Sequence, residues 1–152
     1  MISAFSAMVR IVLSAILGGL IGTEREVHRH EAGLRTHILV CMGSTLIMLT
    51  SIHVFDIYKE IGTVDPSRIA SGVITGIGFL GAGAIIRYGM AVKGLTTAAS
   101  LWITSAVGLA VGCGFYFGAI FSTIIVLVVL LFLRNFERTL LRKEEVEHGI
   151  KK

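Results

Sequence analysis

The chain has little of what soluble domains use freely. It carries one proline, Pro66, two cysteines, Cys41 and Cys113, and 16% charged residues among 152; ordinary soluble domains carry about 25% charge. The charges are also segregated. None lies between Lys93 and Arg134, a gap too long for one apolar span of roughly 20 residues and right for two. No Asp or Glu falls inside an apolar segment, since all ten sit in loops or tail. One membrane domain follows, with no room beside it for a soluble enzyme. Nothing at the amino terminus looks cleavable, because Arg10 comes after the first apolar residues and no small-residue cleavage site follows a basic start. The first segment is expected to persist.

Glycine, by contrast, is abundant. Gly72, Gly76, Gly78, Gly81 and Gly83 fall within an uncharged apolar run from Ile69 to Ile86. Glycine is costly inside a soluble helix, whereas in lipid a bare backbone lets helices approach closely. The run reads as a central packing helix. Its match to a dinucleotide fingerprint at Gly76, Gly78 and Gly81 fails on context: no strand precedes it, and Ser100 and Leu101 stand where an acid belongs.

Five spans are predicted, at about 2–22, 38–55, 69–86, 95–111 and 115–133, giving an all-α integral membrane protein with a transmembrane domain over 1–133 and a basic tail over 134–152. Eleven basic residues fall on one side of these spans, against Lys59 and Arg68 on the other. The expected orientation is therefore amino terminus outside and carboxyl terminus cytoplasmic. Cys41 and Cys113 then lie near opposite membrane faces, beyond disulfide reach. The tail has Phe136, Leu140 and Leu141 at helical spacing, so it is either a helix lying on anionic headgroups or an ordinary stop-transfer tail.

An internal echo runs through the first four spans. Arg10 opens a Gly-rich span that leads through a charged loop to Gly33-Leu34-Arg35-Thr36; Arg68 opens another that leads to Gly94-Leu95-Thr96-Thr97. Spans one-two and three-four read as a parallel repeat, with span five appended, and such repeats place shared sites between the halves.

Polar and small residues recur every four positions, as Arg10, Ser14, Gly18, Gly22 and as Ser100, Thr104, Gly108, Gly112. Residues four apart share a helix face, so these stripes are packing seams or, less commonly, pathways. Arg10 lies inside a span, where a bare charge costs at least ~2.5 kcal/mol. It either snorkels outward or joins Asp65 and Arg68 in one outer charge network. The cytoplasmic face is expected to hold Glu24, Arg25, Glu26, Arg35, Thr36, His37, Arg87, Lys93, Thr96 and Thr97. His28, His30 and His37 beside two carboxylates match no metal-ligand spacing. Thr36, Thr96 and Thr97 stand where helix N-caps belong; they either only cap or help two helix N-termini hold an anion such as a lipid phosphate.

Taken in order, Gly18-Gly-Leu-Ile-Gly-Thr-Glu24-Arg25-Glu26, Ala32-Gly33-Leu-Arg35-Thr36-His37, and Asp65-Pro66-Ser-Arg68 through the glycine run to Lys93-Gly-Leu-Thr-Thr-Ala-Ala-Ser-Leu-Trp102 resemble the MgtC/SapB family from about Arg10 to Tyr116. The resemblance implies a bacterial cytoplasmic-membrane protein linked to growth in low magnesium and, in one branch, to survival inside host cells. That branch is thought to act on other membrane machines, the F-type ATP synthase and P-type magnesium pumps among them. Departures at Thr96 and Ile103, and a chain ending at Lys152 where that branch continues into a soluble domain, favour the SapB-like, membrane-only form. The function expected is non-catalytic modulation of transport or membrane energetics, with a small ion or solute transporter as the alternative. No catalytic residue, metal, cofactor or nucleic-acid partner is expected; the bilayer and a homodimer are.

Overall fold

A computed structural model describes the backbone of residues 2–149 and the side chains of residues 2–132. Five helices follow in chain order: α1 (Ala4–Val27), α2 (Leu34–Tyr58), α3 (Ser67–Ala84), α4 (Leu95–Cys113) and α5 (Tyr116–Gly149). A two-stranded antiparallel hairpin, β1 (Ile86–Tyr88) and β2 (Ala91–Lys93), joins α3 to α4. Helices α1, α2 and α4 are long and apolar enough to cross a membrane, and Tyr116–Phe132 of α5 is a shorter apolar helix. The all-α membrane bundle read from hydropathy is present. Helix α5 runs unbroken through position 133, so no backbone break separates the expected tail from the span. The tail side chains lie outside the described residues.

Local chemistry sets the helix ends. Ser3 caps α1 by accepting from the Ser6 amide at 3.2 Å. Beyond α1, His30 N bonds Arg25 O and Arg29 N bonds Glu26 O, with Arg29 at φ 56°. That is the six-to-one and five-to-two pattern of a left-handed helix stop, made here by arginine rather than glycine. Helix α4 ends in the same pattern with Gly114 at φ 90°. At α3, Asp65 Oδ1 accepts from Ser67 N at 2.8 Å, beside a proline whose fixed φ suits a first turn.

The packed core lies among α1, α2 and α4. A methyl group added to Gly18 of α1 would fall 2.7 Å from Cys41 Cβ, and one on Gly22 would fall 2.8 Å from Leu34 Cα. Helices α1 and α2 therefore run antiparallel in near-backbone contact. On the other side of α2, a methyl on Gly108 would meet Ser44 Cβ at 2.8 Å, and one on Gly112 would meet Met48 Cβ at 2.6 Å, so α2 and α4 run parallel. Cys41 sits between the two seams, fully buried. Dispersion summed over such close approach drives association where lipid removes the hydrophobic difference.

The glycine run of α3 departs from expectation. Gly72, Gly76, Gly78 and Gly83 have nothing within 4 Å of a would-be Cβ, and only Gly81 of that run touches a neighbour, Ala98, at 3.5 Å. Helix α3 buries Ala70, Val73, Ile77 and Gly81, a single face turned to α4 and α2. Gly72 and Gly76 border an open groove shared with Val40 and Ser44 of α2 rather than a close helix contact, and Phe79 and Leu80 are exposed. The central packing helices are α1, α2 and α4; α3 is peripheral.

Candidate functional site

The end of the bundle where α1 finishes and α2 and α4 begin gathers polar side chains that the apolar spans exclude elsewhere. Helix α1 extends past Gly22 to Val27, which carries Glu24 and Arg25 into its last turns, both buried. Glu24 and Glu26 are thus helical, as is Asp56 near the end of α2. The structure thus corrects the expectation that all three carboxylates lie in loops. Charges at a helix end can be retained in a span when neighbouring helices supply their partners.

Arg25 Nη2 donates to the Thr97 hydroxyl at 3.1 Å, and that hydroxyl donates onward to Glu31 Oε2 at 3.1 Å. Arg25 Nη1 also lies 3.8 Å from Glu24 Oε2, while His28 Nδ1 lies 3.0 Å from Glu24 Oε1. One relay therefore links the end of α1, the following loop and the first turn of α4. The carboxyl of Glu31 is held below the usual range by a backbone amide first, then by Thr97, His30 and Arg25. Burial, then Arg25, pushes the His30 imidazole below its ordinary value.

A second strand of the cluster passes through His37, fully buried in the first turns of α2. Its Nδ1 lies 2.8 Å from the Gly33 carbonyl and its Nε2 lies 3.1 Å from Ser100 Oγ. A carbonyl only accepts, so Nδ1 carries the proton. Ser100 Oγ is also 2.8 Å from the Thr97 carbonyl, and its single proton can serve either that carbonyl or His37 Nε2. The Gly22 backbone packs against His37 Cβ, which leaves the ring little freedom to turn.

The expected residues divide. Arg25, His37, Thr97 and Glu24 converge. Glu26 lies at the edge, where its Oε2 accepts from Leu34 N at 3.0 Å and so fills the N-terminus of α2. Arg35 and Thr96 are exposed, as are Arg87 and Lys93 on the hairpin. Neither Thr36 nor Thr96 nor Thr97 is an N-cap: Gly33 and Gly94 hold those positions with no side-chain cap. With Glu26 at one N-terminus and Thr97 engaged by Arg25 and Glu31 at the other, the paired anion cradle does not form. Sequence reasoning missed Glu31 and Ser100 as members. Ser100 had a signal, its place in the four-residue stripe; Glu31 had none.

At the opposite end, the network expected among Arg10, Asp65 and Arg68 is not assembled. Arg10 Nη1 donates to the Gly112 carbonyl at 2.7 Å and its Nε donates to the Tyr116 hydroxyl at 3.0 Å, with the guanidinium 5.8 Å from the Tyr116 ring centroid. It caps the carbonyl end of α4, where positive charge is favoured. Asp65 and Arg68 are exposed and lie together at the start of α3, with Ser67 first and Arg68 last in keeping the Asp65 carboxyl low.

Comparison with known proteins matches this layout to a family. The sequence profile described as the MgtC family matches residues 11–139. YhiD of Escherichia coli K12 is 45% identical over 125 residues, covering 81% of this chain and 58% of YhiD. Protein MgtC of Salmonella typhimurium LT2 is 40% identical over 131 residues, covering 86% of this chain and 54% of MgtC. An uncharacterized Haemophilus influenzae protein is 38% identical over 123 residues, 78% of this chain and 52% of its own length. The chain thus spans little more than half the length of these curated relatives. No solved structure matches it. With a family profile over most of its length and relatives at this identity, the chain belongs to the MgtC family, as a multi-pass inner-membrane protein.

Proposed function

We propose that this chain is a non-catalytic membrane element that modulates magnesium-linked transport or membrane energetics through the Arg25–Thr97–Glu31 and His37–Ser100 cluster. The magnesium link comes from a relative named "Putative magnesium transporter YhiD" and from the family resemblance. The observation that carries the modulating role is the closed core. Helices α1, α2 and α4 meet at glycines Gly18, Gly22, Gly108 and Gly112 with no room for a methyl group. Their buried hydroxyls are spent on backbone carbonyls, Ser14, Ser44 and Thr104 on their own helices and Thr45 across to Gly108 at 2.7 Å. A core so sealed suits a rigid recognition surface better than a conduit.

In this reading the amino terminus is outside and the cluster faces the cytoplasm, where a second copy of the chain, a P-type ATPase or the F-type ATP synthase could be engaged. Buried Glu24 favours the second reading, a small magnesium-linked transporter, because hard cations need oxygen ligands such as carboxylates. The test uses a strain that needs the protein for growth in low magnesium. Thr97→Val and Arg25→Gln should fail to restore growth at unchanged membrane abundance, while Gly76→Ala on the open face should restore it. Growth restored by both cluster variants would overturn the assignment of the site.

A further inference from the structure

The hairpin between α3 and α4 is the one piece of non-helical regular structure among the described residues, and all six of its strand residues are exposed. Its composition is unusual for a water-facing turn. Tyr88 is 66% exposed and Met90 at the tip 97%, with Ile86 and Val92 also uncovered. Arg87 and Lys93 supply two positive charges, and no acidic residue occurs between Asp65 and Glu137.

Position narrows what this surface can meet. Only Ile85 separates α3 from β1, and only Gly94 separates β2 from α4. Three-residue strands reach about 10 Å, so the hairpin cannot leave the neighbourhood of the helix ends. The polar layer outside the hydrocarbon is about 5–7 Å thick on each side. The strands must therefore lie within that layer or just above it. Its shape is fixed too: Gly89 takes φ 58° at the turn, and Arg87 Nε donates to the Gly89 carbonyl at 3.0 Å.

We propose that the Ile86–Lys93 hairpin is a lipid-contacting finger, with Tyr88 and Met90 seated at the headgroup level and Arg87 and Lys93 on the phosphates of anionic phospholipids. Aromatic rings settle at this depth, and each base near an anionic surface strengthens apposition roughly fivefold. The finger would tie the α3–α4 connection, and through the first turn of α4 the Thr97 relay, to the lipid composition of one leaflet.

The full chain carrying Met90→Cys and Cys113→Ser, labelled at the new thiol with an environment-sensitive fluorophore, tests this in vesicles. One set is phosphatidylcholine alone; the other adds phosphatidylglycerol. The expected result is quenching by a lipid spin-labelled close to its headgroup, stronger with phosphatidylglycerol, and loss of that increase in Arg87→Gln/Lys93→Gln. A label that remains water-exposed in both vesicles overturns the proposal. So does quenching indifferent to phosphatidylglycerol, or a label shielded from both lipid and aqueous quenchers, which would place a protein contact there. Because the readout is depth, it stands apart from growth in low magnesium.

Discussion

Arg25 on α1 donates to the hydroxyl of Thr97 on α4, 72 residues away in sequence, at 3.1 Å. This bond ties the end of the first helix to the start of the fourth. Replacing Thr97 by valine keeps the shape but removes an acceptor from Arg25 and a donor from Glu31. Loss of a buried hydrogen bond to a charged group costs about 1.5–3 kcal/mol. Thr97→Val should lower the melting point in detergent clearly, and exposed Thr96→Val should not. Equal melting of the two would contradict the relay.

The glycines separate by location. Gly108→Ala should destabilise by about 1–3 kcal/mol, as overpacking does, because its new methyl meets α2. Gly76→Ala should be neutral or stabilising by up to about 1 kcal/mol, since alanine is the better helix former and the position is open. Thermal melting of the purified variants decides the matter, and the opposite ranking would return α3 to the centre of the bundle.

Removing Arg10 should cost about 1.5–3 kcal/mol, through two charge-assisted bonds at the α4–α5 corner. Asp65→Ala should lower stability separately, as a lost helix cap. The two losses should add, because independent sites do. Arg10→Ala with Tyr116→Phe should fall short of additivity. Coupling between Arg10 and Asp65 in the double mutant would restore the charge network that these contacts argue against.

Acid should loosen both ends of the bundle. His30 sits below its ordinary 6.5, Glu31 below 4.5 and Asp65 below 3.8. A depressed folded value means the unfolded chain binds more protons. Each contribution is complete above the ordinary value and is lost as pH falls through the folded one. The melting point should therefore hold near neutrality and decline below about pH 6.5, steepening below about 4.5. Glu31→Gln should soften the lower part of that decline. A melting point that rises on acidification would contradict these assignments.

Much of the fold was legible because lipid enforces it: long uncharged runs must be helices, and the five segments start within a few residues of α1 to α5, although α1 and above all α5 run on past the expected ends. The sites were less legible. The charges after Gly22 read as the end of the first span, yet α1 continues because Arg25 finds Thr97 on α4 and Glu24 lies against Arg25 and His28. The hairpin was hidden in a loop too short to show a two-residue alternation. Glycine spacing is the same at Gly18/Gly22, which pack, and at Gly72/Gly76, which do not, since a stripe marks a face without saying what covers it. Arg10 was paired with an acid because acids are visible in sequence; its acceptor, the Gly112 carbonyl, is backbone and has no letter.

The measurement that tests the central claim most directly is magnesium flux into liposomes holding the purified chain, followed with a trapped indicator. A core closed by Gly18, Gly22, Gly108 and Gly112 predicts uptake equal to that of empty liposomes, from the same preparation whose gene restores growth in low magnesium. Saturable uptake that Glu24→Gln abolishes would contradict it and establish the carrier reading instead.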